Sequence, residues 1–238
     1  MTAPSNTVSD PLPSVPVRVF IQARMSSSRY PGKVLAPLHG RPVIDHVVSA
    51  CAKAVGVENV VVLTSTDPTD DPLAAYLTAR GTHLFRGDLD DVFDRYRACL
   101  AVFPCDWMVR ICSDSPVIDE GIIKSAVGEA LGSRFDLVTN TFPRSFPRGQ
   151  SVEVIRTSTF QTIDAASLNE TQREHLTQVY YNRSSDFLIA NIRAETPSDV
   201  EPGLSLDDFE DYQRLAALRD LPRFPVKPGL DHEKGSGQ

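Results

Sequence analysis

The sequence predicts an α/β protein with a Rossmann-like, mostly parallel and doubly wound sheet and a small inserted lobe. Short apolar runs rich in β-branched residues recur along residues 17–140, amphipathic segments with helical spacing separate them, and polar loops with glycine and proline follow them. Strands that alternate with helices lie parallel, because each helix carries the chain back to the same edge of the sheet. The 238 residues suffice for one core, and we predict a single domain over residues 16–222.

The first half of the chain has the clearest alternation of strands and helices. The run VRVFIQA predicts a first buried strand, and an amphipathic helix begins at Pro42 in the segment PVIDHVVSACAKAV. A second strand is predicted over residues 59–65, followed by a short helix that Gly81 ends. A short strand at 82–86, a helix at 88–103 and a strand in WMVRIC complete this half.

The pattern changes after Asp136. The segment DLVTN predicts a strand, TFPRSFPRGQ a loop, and SVEVI alternates as expected of a strand with one exposed face. We interpret residues 140–185 as an inserted lobe, with one helix at about 157–181. A strand in FLIANIRAE, and a strand end followed by a helix in LSLDDFEDYQRLAALRDL, come next. We expect a disordered leader over residues 1–15 and a disordered tail over residues 223–238.

Composition and charge exclude several classes of function. With 31 acidic and 24 basic residues the net charge is −7, which disfavours binding to a nucleic-acid backbone. No apolar run approaches the roughly 20 residues of a membrane span, and the N-terminus resembles neither a signal nor a transit peptide. The four cysteines form no C-x-x-C pair and are expected to be free thiols. We therefore expect a cytoplasmic protein with no nucleic-acid or membrane partner.

The strongest chemical signal follows the first strand, where hydroxyl and cationic side chains are concentrated. At the carboxyl end of a first parallel strand, such a loop can wrap a polyphosphate. It is not a Walker A loop, because Ser27 and Val34 stand where that motif needs Gly and Ser or Thr. The alternative interpretation is a solvated basic turn. The signal consists of Gln22, Arg24, Ser26, Ser27, Ser28, Arg29, Gly32 and Lys33.

Acidic residues at two predicted strand ends are the second signal. Asp114 in RICSDSP and Asp207 in LSLDDFED could together hold Mg²⁺, which prefers one or two carboxylates plus phosphate oxygens and water. The alternative for either residue is the N-cap of the following helix. For Asp208 and Asp211 we favour that cap, or a solvated position. Tyr180, Tyr181 and Trp107 are interpreted as core or interface aromatics.

The order of the sequence motifs resembles the CMP-sugar synthetase (cytidylyltransferase) superfamily, and most closely its SpsF-like polysaccharide-biosynthesis branch. The resemblance spans residues 17–219. It implies a nucleotidyltransferase or GT-A-like fold, sugar activation with CTP and Mg²⁺, a small acidic acceptor (a sugar acid, sugar phosphate or phosphonate), and a homodimer. The segments that carry it are IQARMSSSRYPGKVLAPLHGRPVIDHV, LTSTDPTDDPLA, LFRGDLDDVFDRY, VRICSDSPVID, FPRSFPRGQSVEVI, REHLTQVYYNR and LSLDDFEDYQRL.

The resemblance also implies roles for individual residues. Catalytic roles fall to Arg24, Arg29, Lys33 and Asp114, and the metal ligands are Asp114 and Asp207. The implied acceptor residues are Arg144, Arg148, Glu153, Arg173 and His175. The implied nucleotide contacts are Gln22, Ala23, Arg24, Met25, Ser26, Ser27, Ser28, Lys33, Ser65, Thr66, Asp67, Arg86, Gly87, Asp90 and Ser113.

The implied reaction is in-line attack by an acceptor oxygen on the α-phosphorus, with pyrophosphate leaving. The loop cations would neutralise the β- and γ-phosphates. A carboxylate, phosphate or phosphonate of the acceptor could be held through charge-assisted contacts by Arg144, Arg148, Arg173 and His175. Alternatively, Arg144 and Arg148 are loop charges, His175 is an ordinary helix residue, and Glu153 is a solvent-facing residue of an edge strand. Alternatives for the function are a guanylyl- or uridylyltransferase, a glycosyltransferase that uses a nucleotide sugar, and an inactive nucleotide-binding module.

Overall fold

The computed structural model describes residues 14–197 and 203–232, which form an α/β fold. The strands are β1 (Val15–Gln22), β2 (Pro37–Leu38), β3 (Arg41–Pro42), β4 (Val60–Ser65), β5 (His83–Gly87), β6 (Cys105–Cys112), β7 (Leu137–Thr139), β8 (Glu153–Arg156), β9 (Ile189–Asn191) and β10 (Asp231–His232). The helices are α1 (Val43–Val55), α2 (Asp71–Ala79), α3 (Val92–Val102), α4 (Glu120–Ala130), α5 (Thr157–Thr162), α6 (Glu170–Glu174), α7 (Gln178–Asn182) and α8 (Phe209–Ala216).

Within the described residues, eight strands form one sheet in the order β10-β9-β7-β8-β6-β1-β4-β5. The strands β6, β1, β4 and β5 run parallel, so their carboxyl ends meet at one edge of the sheet. The strand β8 runs antiparallel between β6 and β7. The predicted mostly parallel α/β class is confirmed, and the common edge brings loops from distant parts of the chain together.

The two faces of the sheet are covered by separate apolar layers. One layer contains Ile44, Val47 and Cys51 of α1 together with Ile122 and Ala126 of α4. The opposite layer contains Phe93 and Tyr96 of α3, with Phe160, Val179 and Tyr180 from the short helices. Because both faces are covered, the central strands are apolar nearly throughout, as in a doubly wound sheet.

The prediction of an exposed-faced strand in SVEVI was wrong. The segment forms β8 inside the sheet, and Glu153, Val154 and Ile155 are all buried. Alternation in a sequence records which side chains are polar, but it does not reveal that a polar side chain has a buried partner. Glu153 has such a partner in Arg110 of the adjacent strand.

The predicted helix at 157–181 was also wrong, because the segment is divided into α5, α6 and α7. New N-caps start within it: Asp164 accepts from the Ala166 N–H, and Asn169 forms a reciprocal capping box with Gln172. The helix predicted from residue 88 begins instead at Val92.

Residues 223–232, predicted to be a disordered tail, pack on the sheet. Asp119 at the start of α4 accepts a hydrogen bond from the Phe224 N–H (2.8 Å) and pairs with Arg223 (3.0 Å). Val226 forms a bridge with Ala194, and β10 extends the sheet beyond β9. The prediction missed this segment because its partners are distant in sequence. The predicted leader over residues 1–13 and the tail over 233–238 lie outside the described residues, while Val15 already belongs to β1.

No helix among the described residues is long and apolar enough to cross a membrane.

Asp119→Ala is expected to lower the free energy of unfolding by roughly 2–4 kcal/mol, because it removes an N-cap, leaves the Phe224 N–H without its acceptor and removes one of the two carboxylate partners of Arg223. Urea denaturation measures this. The control is Asp164→Ala, which removes an exposed cap of a single short turn and should cost about 1 kcal/mol or less. Equal effects of the two changes would contradict the anchoring role of Asp119.

Candidate active site

A cleft of about 320 Å³ lies where β1 and β6 end. Its walls combine the loop after β1, the end of β6, and short segments around α6 and before α8. The predicted site residues that line it are Gln22, Arg24, Ser27, Ser28, Arg29, Lys33, Ser113, Asp114, His175 and Asp207. Three further residues line it that the sequence analysis did not single out: Arg110, Cys112 and Glu174.

The loop after β1 folds back on itself. The carbonyl of Met25 accepts from the N–H groups of Ser27 and Gly32, both at 2.9 Å. Gly32 has φ of 73°, in the left-handed region that glycine adopts without strain, and Lys33 then opens a short 3₁₀ turn. This tight return places the Lys33 side chain at the cleft instead of continuing the loop outward.

The fully buried Asp70 holds this loop against the end of β4. One carboxylate oxygen accepts from the Met25 N–H (2.6 Å), and the other accepts from the Ser65 N–H (3.0 Å) and hydroxyl (2.5 Å). Sequence analysis missed Asp70, although it lies in the acid-rich TDPTDDP that follows a strand. Its partners belong to two different loops, which the sequence does not show to be adjacent.

The two predicted metal ligands meet at one ammonium group. Lys33 Nζ donates to the Leu206 carbonyl (2.5 Å) and lies 3.4 Å from Asp207 Oδ1 and 3.9 Å from Asp114 Oδ2. Arg29 also pairs with Asp207 Oδ1, at 3.0 Å. The cleft therefore contains a compact set of two carboxylates and two cations.

Neither Asp114 nor Asp207 is a helix cap, which resolves the alternative raised by the sequence. Asp119 caps α4, and Asp208 caps α8 in a capping box with Asp211. The interpretation of Asp208 and Asp211 as capping residues is confirmed. Among the described residues, no three His, Cys, Asp or Glu side chains cluster as a ready-made metal cage.

Asp114 has an altered protonation equilibrium. Burial raises its pKa above the usual value, the nearby ammonium of Lys33 opposes this shift, and the negative charge of Asp207 adds to it. At this position the ionised form of the Asp114 carboxylate is unfavourable unless a cation lies close to it. This is an environment suited to binding a cation.

A second set of predicted nucleotide contacts lies at the ends of β4 and β5 and is not among the residues that line the cleft. Arg86 Nε donates to the Ser65 carbonyl (2.7 Å), and its Nη2 donates to the Asp67 carbonyl (3.2 Å) and to Asp71 (2.7 Å). The Thr66 N–H donates to the Gly87 carbonyl (2.8 Å). Arg86, on β5, therefore holds the loop that follows β4.

Arg95, which the sequence analysis missed, shapes the loop that contains Asp90. Its buried guanidinium donates to the carbonyls of Asp88 (2.7 Å) and Leu89 (2.8 Å). A Cβ on Gly87 would lie 2.7 Å from Arg95 Cγ, so glycine is required there by close packing.

The predicted acceptor residues do not form one group. Glu153 is buried beside Arg110 and Tyr181, and His175 lines the cleft at the end of α6. Arg144 is exposed and donates to the Ser151 hydroxyl (3.1 Å), and Arg148 is an exposed residue of the same segment.

Arg173 has a partner in the scaffold: it pairs with Asp91 and donates to the Ala165 carbonyl (2.6 Å), which joins α6 to the start of α3. The neighbouring Glu174 pairs with Arg24 at the cleft (3.5 Å). Helical spacing alone could not show which of these adjacent side chains faces the cleft.

The model of the cytidylyltransferase family matches residues 18–221. The chain belongs to the cytidylyltransferase family. It is similar to the spore coat polysaccharide biosynthesis protein SpsF of Bacillus subtilis, at 30% identity over 84% of each chain. It is also similar to an 8-amino-3,8-dideoxy-manno-octulosonate cytidylyltransferase of Shewanella frigidimarina, at 29% identity over 87% of this chain and 76% of that one.

Solved structures agree with this membership. A cytidylyltransferase from Leptospira borgpetersenii superposes with a TM-score of 0.79 at 29% identity, covering 85% of both chains. A CMP:2-keto-3-deoxy-manno-octonic acid synthetase in complex with CTP shares the fold, with a TM-score of 0.64 at 19% identity over 85% of this chain and 97% of that one. As a cytidylyltransferase family member, the chain is a nucleotidyltransferase, which decides against the glycosyltransferase alternative.

Asp70→Asn is expected to lower the free energy of unfolding by roughly 2–4 kcal/mol, since one acceptor oxygen of a buried, fully bonded carboxylate becomes a donor. Urea denaturation and amide hydrogen exchange at Met25 measure the effect. The matched control is Asp71→Asn, whose side chain is 62% exposed and should change stability by about 0.5 kcal/mol or less. Unchanged exchange at Met25 would contradict the role of Asp70.

The raised pKa of Asp114 predicts a pH-dependent contribution to stability in metal-free protein. The folded state holds this proton more tightly than the unfolded state, so the contribution is full below the unfolded pKa and is lost as the pH rises through the folded pKa. The unfolding free energy of wild type minus that of Asp114→Asn should therefore fall as the pH rises above the ordinary aspartate pKa. A flat or rising difference would contradict the raised pKa.

Proposed function

We propose that this protein transfers CMP from CTP to a small acidic acceptor and releases pyrophosphate, with Mg²⁺ as the metal ion. The observation that supports this most directly is the meeting of Asp114 and Asp207 with Lys33 and Arg29 at the edge where the parallel strands end. Ligands of open α/β sheets bind at that edge. The names of similar proteins, which include octulosonate cytidylyltransferases, support both the donor and an acceptor that is a sugar acid.

In this proposal the loop cations bind the triphosphate. Without ligand each of them is paired with a carboxylate: Arg24 with Glu174, Arg29 with Asp207, and Lys33 with both aspartates. These pairs are partly exposed and therefore weak, so phosphate oxygens can replace the carboxylates at little cost. The cations then neutralise the charge that develops on the departing pyrophosphate.

The donor set fits Mg²⁺. Asp114 and Asp207 supply carboxylate oxygens from two separate segments, and the positive charge of Lys33 already lies between them. A bound Mg²⁺ would polarise the phosphate oxygens. Asp114 and Asp207 would hold it. Lys33 and Arg29 would then no longer pair with these carboxylates and could bind the phosphates.

The transfer needs one nucleophile and one leaving group. An acceptor oxygen forms a bond to the α-phosphorus while the bond from that phosphorus to the bridging oxygen breaks, and pyrophosphate departs with the electron pair. If the attacking group is a hydroxyl, its proton passes to solvent or to a carboxylate of the cleft. Residues of this chain contribute mainly by orienting the groups and by stabilising charge.

We further propose a homodimer in the cytoplasm. Twofold dimers are the commonest assembly of soluble proteins. All four cysteines are free thiols, which suits a reducing compartment.

The test is pyrophosphate release with CTP, GTP, UTP or ATP plus Mg²⁺, against sugar acids, sugar phosphates, phosphonates and uncharged sugars. We expect release with CTP and one acidic acceptor. Asp207→Asn should lower kcat by about 100-fold or more, because a metal-binding and cation-pairing carboxylate is lost. Chelation of the metal should abolish release.

The matched control is the adjacent Asp208→Asn. Asp208 acts as the N-cap of α8, where asparagine caps equally well, so activity should stay within about twofold of wild type. Release by wild type with a different triphosphate would refute the CTP assignment, and full activity of Asp207→Asn would refute its metal role.

A further inference from the structure

We propose that Arg110 binds the anionic group of the acceptor, and that Glu153 and Tyr181 are positioning residues that hold its guanidinium. The inference rests on the proposed function and deepens it, since it names the residue that selects acceptors carrying a carboxylate or phosphate. It differs from the sequence-based expectation, which gave this task to Arg144, Arg148, Arg173 and His175.

Arg110 lies on the acceptor side of the cleft. It precedes Asp114 by four residues, on β6, and its charge acts on the Asp114 carboxylate. The nucleotide loops follow β1, β4 and β5 on one side of β6, whereas Arg110 is paired in register with Glu153 of β8 on the other side. Arg110 therefore lies between the proposed metal site and the β8 side of the sheet, where none of the proposed nucleotide loops is located.

The guanidinium of Arg110 has unused hydrogen-bonding capacity. Its Nη1 donates to Glu153 Oε2 at 2.6 Å, but its Nη2 has only a 3.4 Å contact with Gln22 Oε1. Its Nε is buried without a hydrogen-bond partner among the described residues. The side chain is still 12% exposed and lines the cleft. A planar fork with free donors at the floor of a cleft matches a carboxylate or phosphate.

Glu153 is fixed at both oxygens. Oε2 binds Arg110, and Oε1 accepts from the Tyr181 hydroxyl at 2.6 Å. That hydroxyl also contacts the hydroxyls of Thr139 (3.1 Å) and Thr141 (3.0 Å). Burial, and then the charge of Glu153, raise the pKa of Tyr181 well above its usual value, so it remains a donor. Tyr181 thus fixes Glu153, and Glu153 fixes the guanidinium of Arg110.

Stability does not account for this buried pair. The preceding inward-facing positions in the same register are apolar: Met108 of β6 pairs with Ile155 of β8, and Ile155 pairs with Leu137 of β7. Apolar residues at positions 110 and 153 would continue that layer, and replacing a buried ion pair in this way is often neutral or stabilising. The charged pair interrupts the layer only where the sheet meets the cleft, which supports a role in ligand binding.

Three arginines of the predicted acceptor set are less suited to selecting an anionic acceptor. Arg144 and Arg148 are exposed, so solvent screens their charges more than that of a buried guanidinium. Arg173 has a partner in Asp91. Arg110 is already ordered, and a preorganised donor costs less to use.

The experiment compares each anionic acceptor of the panel with an uncharged counterpart: a sugar acid with its carboxamide, and a sugar phosphate with its parent sugar. Wild type should prefer the anionic member in kcat/KM by about tenfold or more. Arg110→Lys should raise the acceptor KM by about tenfold, because it keeps the charge that pairs with Glu153 but loses the fork. The KM for CTP should change by about twofold or less.

Arg110→Met alone would leave Glu153 buried and unpaired, so the charge-removing variant is the double change Arg110→Met with Glu153→Gln. It should reduce the preference for the anionic acceptor to about one. Arg156→Lys is the matched control. Arg156 lies on β8 beyond Glu153 and also makes two close hydrogen bonds, to the carbonyls of Phe135 and Ser133. Its change should leave both KM values and the preference unaltered.

Glu153→Gln and Tyr181→Phe test the positioning role. Both should raise the acceptor KM with kcat nearly unchanged and should weaken the preference for the anion. A purely structural role would lower stability but keep the preference. Preference retained in the Arg110 variants, or a rise of the CTP KM in place of the acceptor KM, would overturn the inference. If wild type releases no pyrophosphate with any pair, the proposed function itself fails, which is a separate outcome.

Discussion

The Lys33 ammonium joins three segments that are far apart in the chain. It donates to the Leu206 carbonyl, 173 residues away, and faces both Asp207 and Asp114. Without a cation at this point, two carboxylates would face each other across a half-buried cleft, which electrostatic repulsion disfavours. The loop after β1, the end of β6 and the segment before α8 are thus held together by charge.

A second constraint is the way in which the loops after β1, β4 and β5 are supported. Asp70, Arg86 and Arg95 are engaged mainly with backbone groups of the loops after β1, β4 and β5. Loop backbone needs partners when it is not solvated, and here charged side chains provide them. These loops are therefore held by internal hydrogen bonds to side chains of the same fold.

The insertion of β8 between β6 and β7 explains why the two halves of the cleft differ. On the β1 side, the strands are parallel, so the loops that follow them all lie at the edge where these strands end. On the β8 side, an antiparallel strand begins at that edge, so its first residue, Glu153, lies beside Arg110. In this row polar side chains enter the apolar layer, with Thr139 and Tyr181 completing the set. The sheet topology thus places Arg110 and its side-chain network on the β8 side of the cleft.

The sequence by itself determined the fold class, the order of the main strands and helices up to residue 112, and the residue types of the cleft, since those depend on local periodicity and on loops that follow strands directly. It also anticipated that Asp114 and Asp207 belong together, through the resemblance to a family. Only the tertiary structure decided that Asp70 and Arg95 support the site, that Arg173 binds Asp91, and that Arg110 and Glu153 form a pair. The contacts of Asp70 with Met25, of Arg173 with Asp91 and of Arg110 with Glu153 join segments distant in sequence, and the burial of a polar residue depends on whether such a partner is present.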